Sequence, residues 1–109
     1  MFACSEKQDL SPGETSKLVV ESFYNKDNES LKKYTTPEGY EGFKSIQDLI
    51  TAGKSGDSNF KVLQETKNGD TAWVRFTTSY EENPELFKLL MENGQWKVTR
   101  QGEREKGPF

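Results

Sequence analysis

The chain reads as an α+β domain, with N-terminal helices packed on a curved four-stranded antiparallel meander sheet. Three observations predict this. Apolar residues recur at helical spacing up to about residue 52 and alternate strictly in the second half. Two Asn-Gly dipeptides, Asn68-Gly69 and Asn93-Gly94, punctuate the alternating half as hairpin turns do. The helical and strand patterns are segregated rather than interleaved, which argues against an alternating parallel nucleotide-binding sheet.

The elements follow in order. Ser11-Pro12-Gly13-Glu14 is a capping box with proline at the first helical position. Behind it Leu18, Val19, Ser22 and Phe23 share one helix face, flanked by Val20 and Tyr24. That helix should end near Lys26, where Asp27-Asn28 offers a turn or a new cap. Ser30 to Tyr34 reads as one short helical turn stopped by Thr35-Thr36-Pro37. A third helix is expected from about Tyr40 to Ala52, with Phe43, Ile46, Leu49 and Ile50 inward and Gly53 as its stop.

From residue 59 the period changes. Ala72, Val74, Phe76, Thr78 and Tyr80 alternate, so one face of their strand is buried. Phe60-Lys61-Val62 begins a partner strand. A two-residue Asn68-Gly69 loop would pair Val62 with Arg75, whereas a three-residue loop pairs Val62 with Phe76 and gathers the apolar residues on one face. The second register is expected, because a one-residue slip inverts a strand. Around Asn93-Gly94, Met91 should face Trp96, Leu89 should face Val98, and Phe87 should face Arg100. Glu82-Asn83-Pro84 supplies the bend between hairpins. The expected organisation is a tether over 1–10, the α+β domain over 11–101 and a loose tail over 102–109.

Composition narrows the function. With 109 residues the chain fits one domain. Leu, Ile, Val and Phe make up only 22 residues, a thin core, but 2 Trp, 4 Tyr and 7 Phe supply bulk. A net charge of −3 without a basic block argues against nucleic acid or an anionic membrane as an electrostatic partner. The absence of histidine excludes a histidine-based triad or zinc site. The lone cysteine excludes an intrachain disulfide, and Asp57 and Asp70 lack the spacing of a calcium loop. No metal or cofactor is expected.

Phe2-Ala3-Cys4-Ser5 followed by polar residues resembles the cleavage site of a bacterial lipoprotein signal peptide, although the basic and apolar segments that precede such a site are missing ahead of it. The resemblance implies lipidation at Cys4, a membrane partner reached through that anchor, and a place in the bacterial cell envelope. The alternative is an incidental free thiol in a frayed terminus.

The whole order resembles the nuclear transport factor 2-like (cystatin-like α+β roll) fold, in particular the small bacterial lipoproteins of unknown function that carry it. The resemblance rests on Ser11-Pro12, Lys33-Tyr34-Thr35-Thr36, Gly69-Asp70-Thr71-Ala72-x-Val74 and Leu89-x-x-x-Asn93-Gly94-x-Trp96-Lys97-Val98, across residues 11–100. It implies a conical pocket between sheet and helices, used by some relatives for catalysis and by others for binding.

Enzymes of that fold place an Asp or His on the inner wall. Here the expected inner face carries Thr78, Tyr80 and Arg100 but no carboxylate, so a non-enzymatic binding domain is expected. Arg100, at the rim, is a candidate for holding a ligand carboxylate or phosphate, or else curls to solvent. Tyr24, Tyr34, Tyr40, Tyr80, Phe43, Phe87 and Trp96 either line the pocket or fill the core. Trp73 beside Arg75 on the opposite sheet face is a candidate interaction surface, for a protein partner or a homodimer. The alternatives to a binding domain are a small isomerase- or dehydratase-type enzyme using Tyr and Arg, and a structural dimerisation domain.

Overall fold

The computed structural model describes residues 10–101 and 107–109; Cys4 and most of the expected tether lie outside them. Three helices, α1 (Pro12–Asn25), α2 (Asn28–Lys33) and α3 (Pro37–Thr51), precede four strands, β1 (Lys61–Asn68), β2 (Thr71–Thr78), β3 (Glu81–Glu92) and β4 (Gln95–Thr99). The strands form one antiparallel sheet in sequence order, as a meander does. The fold class is the one the sequence predicts.

Helix α1 starts as its capping box requires. Ser11 Oγ accepts from Glu14 N at 3.0 Å, and Glu14 Oε1 accepts from Ser11 N at 2.9 Å. It ends at Lys26, which takes the left-handed conformation of a C-cap. Val19, Val20 and Phe23 are buried, while Leu18 lies at the edge of the stripe. Helix α2 ends at Lys33, ahead of Thr35-Thr36-Pro37 as expected, and Pro37 also opens α3, three residues before the expected start at Tyr40. Thr36 Oγ1 accepts from Gly39 N at 3.1 Å, and proline at the first position has no amide to leave unpaired.

The inner face of α3 also departs from expectation. Ile46 and Leu49 are exposed (44% and 79%), and the buried line runs through Gly39, Gln47 and Thr51. Two contacts fix that orientation. Gly39 lies directly on the β4 backbone, where an added Cβ would sit 2.7 Å from Val98 O. Gln47 Nε2 donates to Phe23 O at 2.9 Å and to Asn28 Oδ1 at 3.0 Å, tying α3 to the end of α1. A buried polar side chain thus overrides the apolar period.

In the first hairpin Val62 does pair with Phe76, but by another route than a three-residue loop. The turn is the two-residue Gly69-Asp70, with Gly69 at φ 65°, and a bulge between Val62 and Gln64 shifts the register by one. The second hairpin pairs Met91 with Trp96 and Leu89 with Val98 as expected. Strand β4 ends at Thr99, so the expected Phe87–Arg100 pair lies beyond the ladder.

Between these hairpins the chain reverses at Ser79-Tyr80, since Thr78 pairs with Glu81. Glu82-Asn83-Pro84 is instead a bulge inside β3, which brings Glu85 opposite Phe76. Proline is tolerated there because a bulge releases ladder donors. At the other side of the sheet the free edge of β4 is covered by the α2–α3 connection. Thr36 N donates to Val98 O and Val98 N to Tyr34 O, both at 2.9 Å. The opposite edge, β1, has every residue exposed.

The core lies between the helices and the inner face of β2–β4: Val19, Val20, Phe23, Leu31, Ala72, Val74, Phe76, Leu89, Trp96 and Val98. Through it runs a chain of rings. Phe23 meets Phe43 at 5.4 Å, Phe43 meets Phe87 at 5.7 Å, Phe87 meets Phe76 at 4.7 Å, and Phe76 meets Phe60 at 4.9 Å between centroids.

Candidate functional site

The core does not close at one end. Where β3 bulges away, a cavity of about 330 Å³ opens between α1, α3 and β3. Val19, Val20, Phe23 and Tyr24 come from α1, and Phe43, Ile46 and Ile50 from α3. The β3 bulge contributes Glu81, Asn83, Pro84, Glu85 and Phe87. The α1 residues that line it, Val19, Val20 and Phe23 with Tyr24 beside them, are those that also pack in or against the core, and the β3 bulge supplies the opposite rim.

Two carboxylates stand at the β3 end. Glu85 is on the inner face of the sheet, opposite Phe76, which corrects the expectation that no carboxylate points inward. That expectation put the bend at residues 82–84 and left Glu85 unassigned. Stepping back in twos from Met91, Leu89 and Phe87 reaches Glu85, so the signal was present in the alternation. Glu81 is held by Lys54, their charged groups in direct contact, and accepts from the Tyr24 hydroxyl at 3.4 Å. Tyr24 stacks on Tyr80 at 3.9 Å between ring centroids, and the Lys54 ammonium lies 6.0 Å from the Tyr24 ring centroid.

These surroundings move two titrations. Burial raises the Glu85 carboxyl above its usual range, Glu81's charge adds to the rise, and Lys54 opposes it. Burial and the charges of Glu85 and Glu81 raise the Tyr24 hydroxyl well above the ordinary phenol, so it stays protonated. Because the folded chain holds the Glu85 proton more tightly than the unfolded chain, folding is penalised above its raised titration. Glu85's contribution to stability should therefore improve as pH falls from neutral towards its ordinary value of 4.5. The difference in urea midpoint between wild type and Glu85→Gln, followed against pH, is expected to shrink across that window.

The other residues singled out in the sequence are dispersed. Phe87, Phe43 and Tyr24 line the cavity, and Tyr80 backs Tyr24 while its hydroxyl donates to Gly56 O at 2.7 Å. Tyr34 packs against the edge of the core, and its carbonyl serves the β4 edge. Trp96 is buried in the core proper. Tyr40 lines a separate groove with Lys32, Lys44 and Lys97. Arg100 is exposed past the end of β4, in a cleft with Gly42, Phe43 and Ile46. On the outer face Trp73 is half-buried, with the Lys88 ammonium 5.8 Å from its ring and Gly107 close against it. Arg75 is exposed beside it and donates to Gln64 Oε1 at 3.4 Å.

Solved structures with this arrangement place the fold. A Campylobacter jejuni protein provisionally named an NTF2-like transpeptidase superposes with a TM-score of 0.61 at 18% identity, over 84% of this chain and 100% of its own. A SEC-C motif-containing protein from Rhodopseudomonas palustris superposes with a TM-score of 0.51 at 15% identity, over 83% of this chain and 76% of its own. A protein from Kribbella flavida gives 0.51 at 12% identity, over 78% and 80%. No family model and no curated protein matches the chain. The protein has the nuclear transport factor 2-like α+β fold. At these identities the likeness is one of architecture, and function rests on the site.

Proposed function

We propose that this is a ligand-binding domain that holds a small molecule with an apolar body in the α1–α3–β3 cavity, without catalysis. The observation that carries this is the cavity itself: about 330 Å³, walled largely by aliphatic and aromatic side chains, with polar groups at one end only. That is the pattern of small-molecule sites, and its volume lies at the lower end of their range. The proposal includes the cell envelope as the place of action, through an acyl anchor on Cys4, supported by the Ala3-Cys4-Ser5 context.

One experiment tests both parts. The protein recovered from its own cells is weighed under native and then denaturing conditions. An excess mass lost on denaturation is the expected pocket ligand, and an excess that survives on the Cys4 peptide is the expected anchor. In Ile50→Trp, which fills the cavity from α3, the first excess should disappear while the second remains. A bare native wild-type chain would count against the ligand, and an unmodified Cys4 peptide against the anchor.

A second reading, an enzyme of the isomerase or dehydratase type, is favoured by Glu85. A carboxyl with a raised titration in an apolar cleft is suited to proton transfer. Recovered ligand that is converted on incubation with fresh protein, and not with Glu85→Gln, would decide for it.

A further inference from the structure

The cavity's two ends differ in chemistry. Phe23, Phe43, Ile50 and Phe87 make the apolar part, and Glu81 and Glu85 stand together at the β3 end. The charged and titratable groups around Glu85 come from each neighbouring element: Tyr24 from α1, Lys54 from the segment after α3, and Glu81 from β3. Lys54 is already engaged, in contact with Glu81. With Tyr24 protonated, this end carries one positive and two negative groups, leaving a surplus negative charge on Glu85. Among the described residues, nothing donates a hydrogen bond or forms an ion pair with the Glu85 carboxylate. A half-buried carboxylate without a partner favours whatever cation or donor can reach it.

We propose that the cavity selects amphiphiles bearing a cationic amine on a short apolar body, the body lying against Phe23, Phe43 and Phe87 and the ammonium against Glu85. This rests on the ligand-binding reading above and adds the class of ligand. An anionic head would set a third negative charge beside Glu81 and Glu85. A neutral head would leave Glu85's charge uncompensated. An ammonium does neither.

Calorimetric titration of the full chain with octylamine, 1-octanol and octanoate, each below its aggregation concentration, separates the cases. Octylamine is expected to bind at least tenfold more tightly than 1-octanol, with octanoate weakest. Its advantage should fall on acidification from neutral pH, as Glu85 takes up its proton. Glu85→Gln should bring the amine-to-alcohol ratio close to one. Glu82→Gln, an equal charge change at an exposed position outside the cavity lining, should keep it. If 1-octanol binds as tightly as octylamine, the amine preference is overturned and the ligand-binding reading stands. If none of the three binds, both are overturned.

Discussion

Phe76→Ala is expected to remove most of the protein's stability, at a cost of about 3–5 kcal/mol. Phe76 is completely buried and holds the middle of the ring chain, stacked on Phe60 and edge-on to Phe87. A cavity left there has few ways to collapse. The sheet fixes Val74 beside it, and across the ladder stand Val62 on one side and Glu85 on the other. The whole fold of a small domain is worth only about 5–15 kcal/mol. With so few large aliphatic residues, this chain belongs near the lower limit. Urea denaturation should show the midpoint falling steeply, with little native baseline left. Phe76→Leu, which keeps part of the volume, should retain a cooperative transition. A loss below about 1 kcal/mol in the alanine variant would mean that the rings close over the gap, contrary to the packing described.

Gly39→Val should be nearly as damaging, for the opposite reason. A Cβ at residue 39 meets Val98 O at 2.7 Å and Thr99 Cα at 3.2 Å, both backbone atoms that cannot swing aside. Val98 O already accepts from Thr36 N, so moving it strains the bond that closes the β4 edge. Overpacking of this kind costs about 1–3 kcal/mol, and a branched side chain adds crowding within the helix. Gly42→Val is the control. It lies on the same helix with nothing within 4 Å of its would-be Cβ, and its midpoint should move far less. Equal losses in the two variants would show that helix propensity, rather than the α3–β4 contact, is responsible.

Much of this architecture was legible in residues whose chemistry acts locally. The Ser11–Glu14 box, the Asn93-Gly94 turn and the alternation from Ala72 to Thr78 depend on neighbours a few positions away, and each produced the element expected of it. What escaped depended on contacts distant in sequence. The inward face of α3 follows from Gly39 meeting β4 and Gln47 meeting α1, so apolar spacing pointed to Ile46 and Leu49 instead. The bulges at Leu63 and at residues 82–84 have no local periodicity to announce them, yet they decide which residues oppose Phe76. The cavity inherits that difficulty. Its aromatic lining was named in part from composition and pattern, and Glu85 lay within the alternation of β3 but behind a misplaced bend, while the contact of Lys54 with Glu81 is long-range and has no local signal.

The bulge in β3 separates two tasks along one strand. Residues 86–92 hold the register with β2 and β4 and belong to the folding of the domain. Residues 82–84 lie outside the regular ladder, and Asn83 and Pro84 among them line the cavity. Exchanges there can reshape the rim of the cavity without shifting Phe87 or Leu89 from their places in the ladder. In the binding role proposed above, a lineage built on this chain would change what the cavity admits while its core stays still.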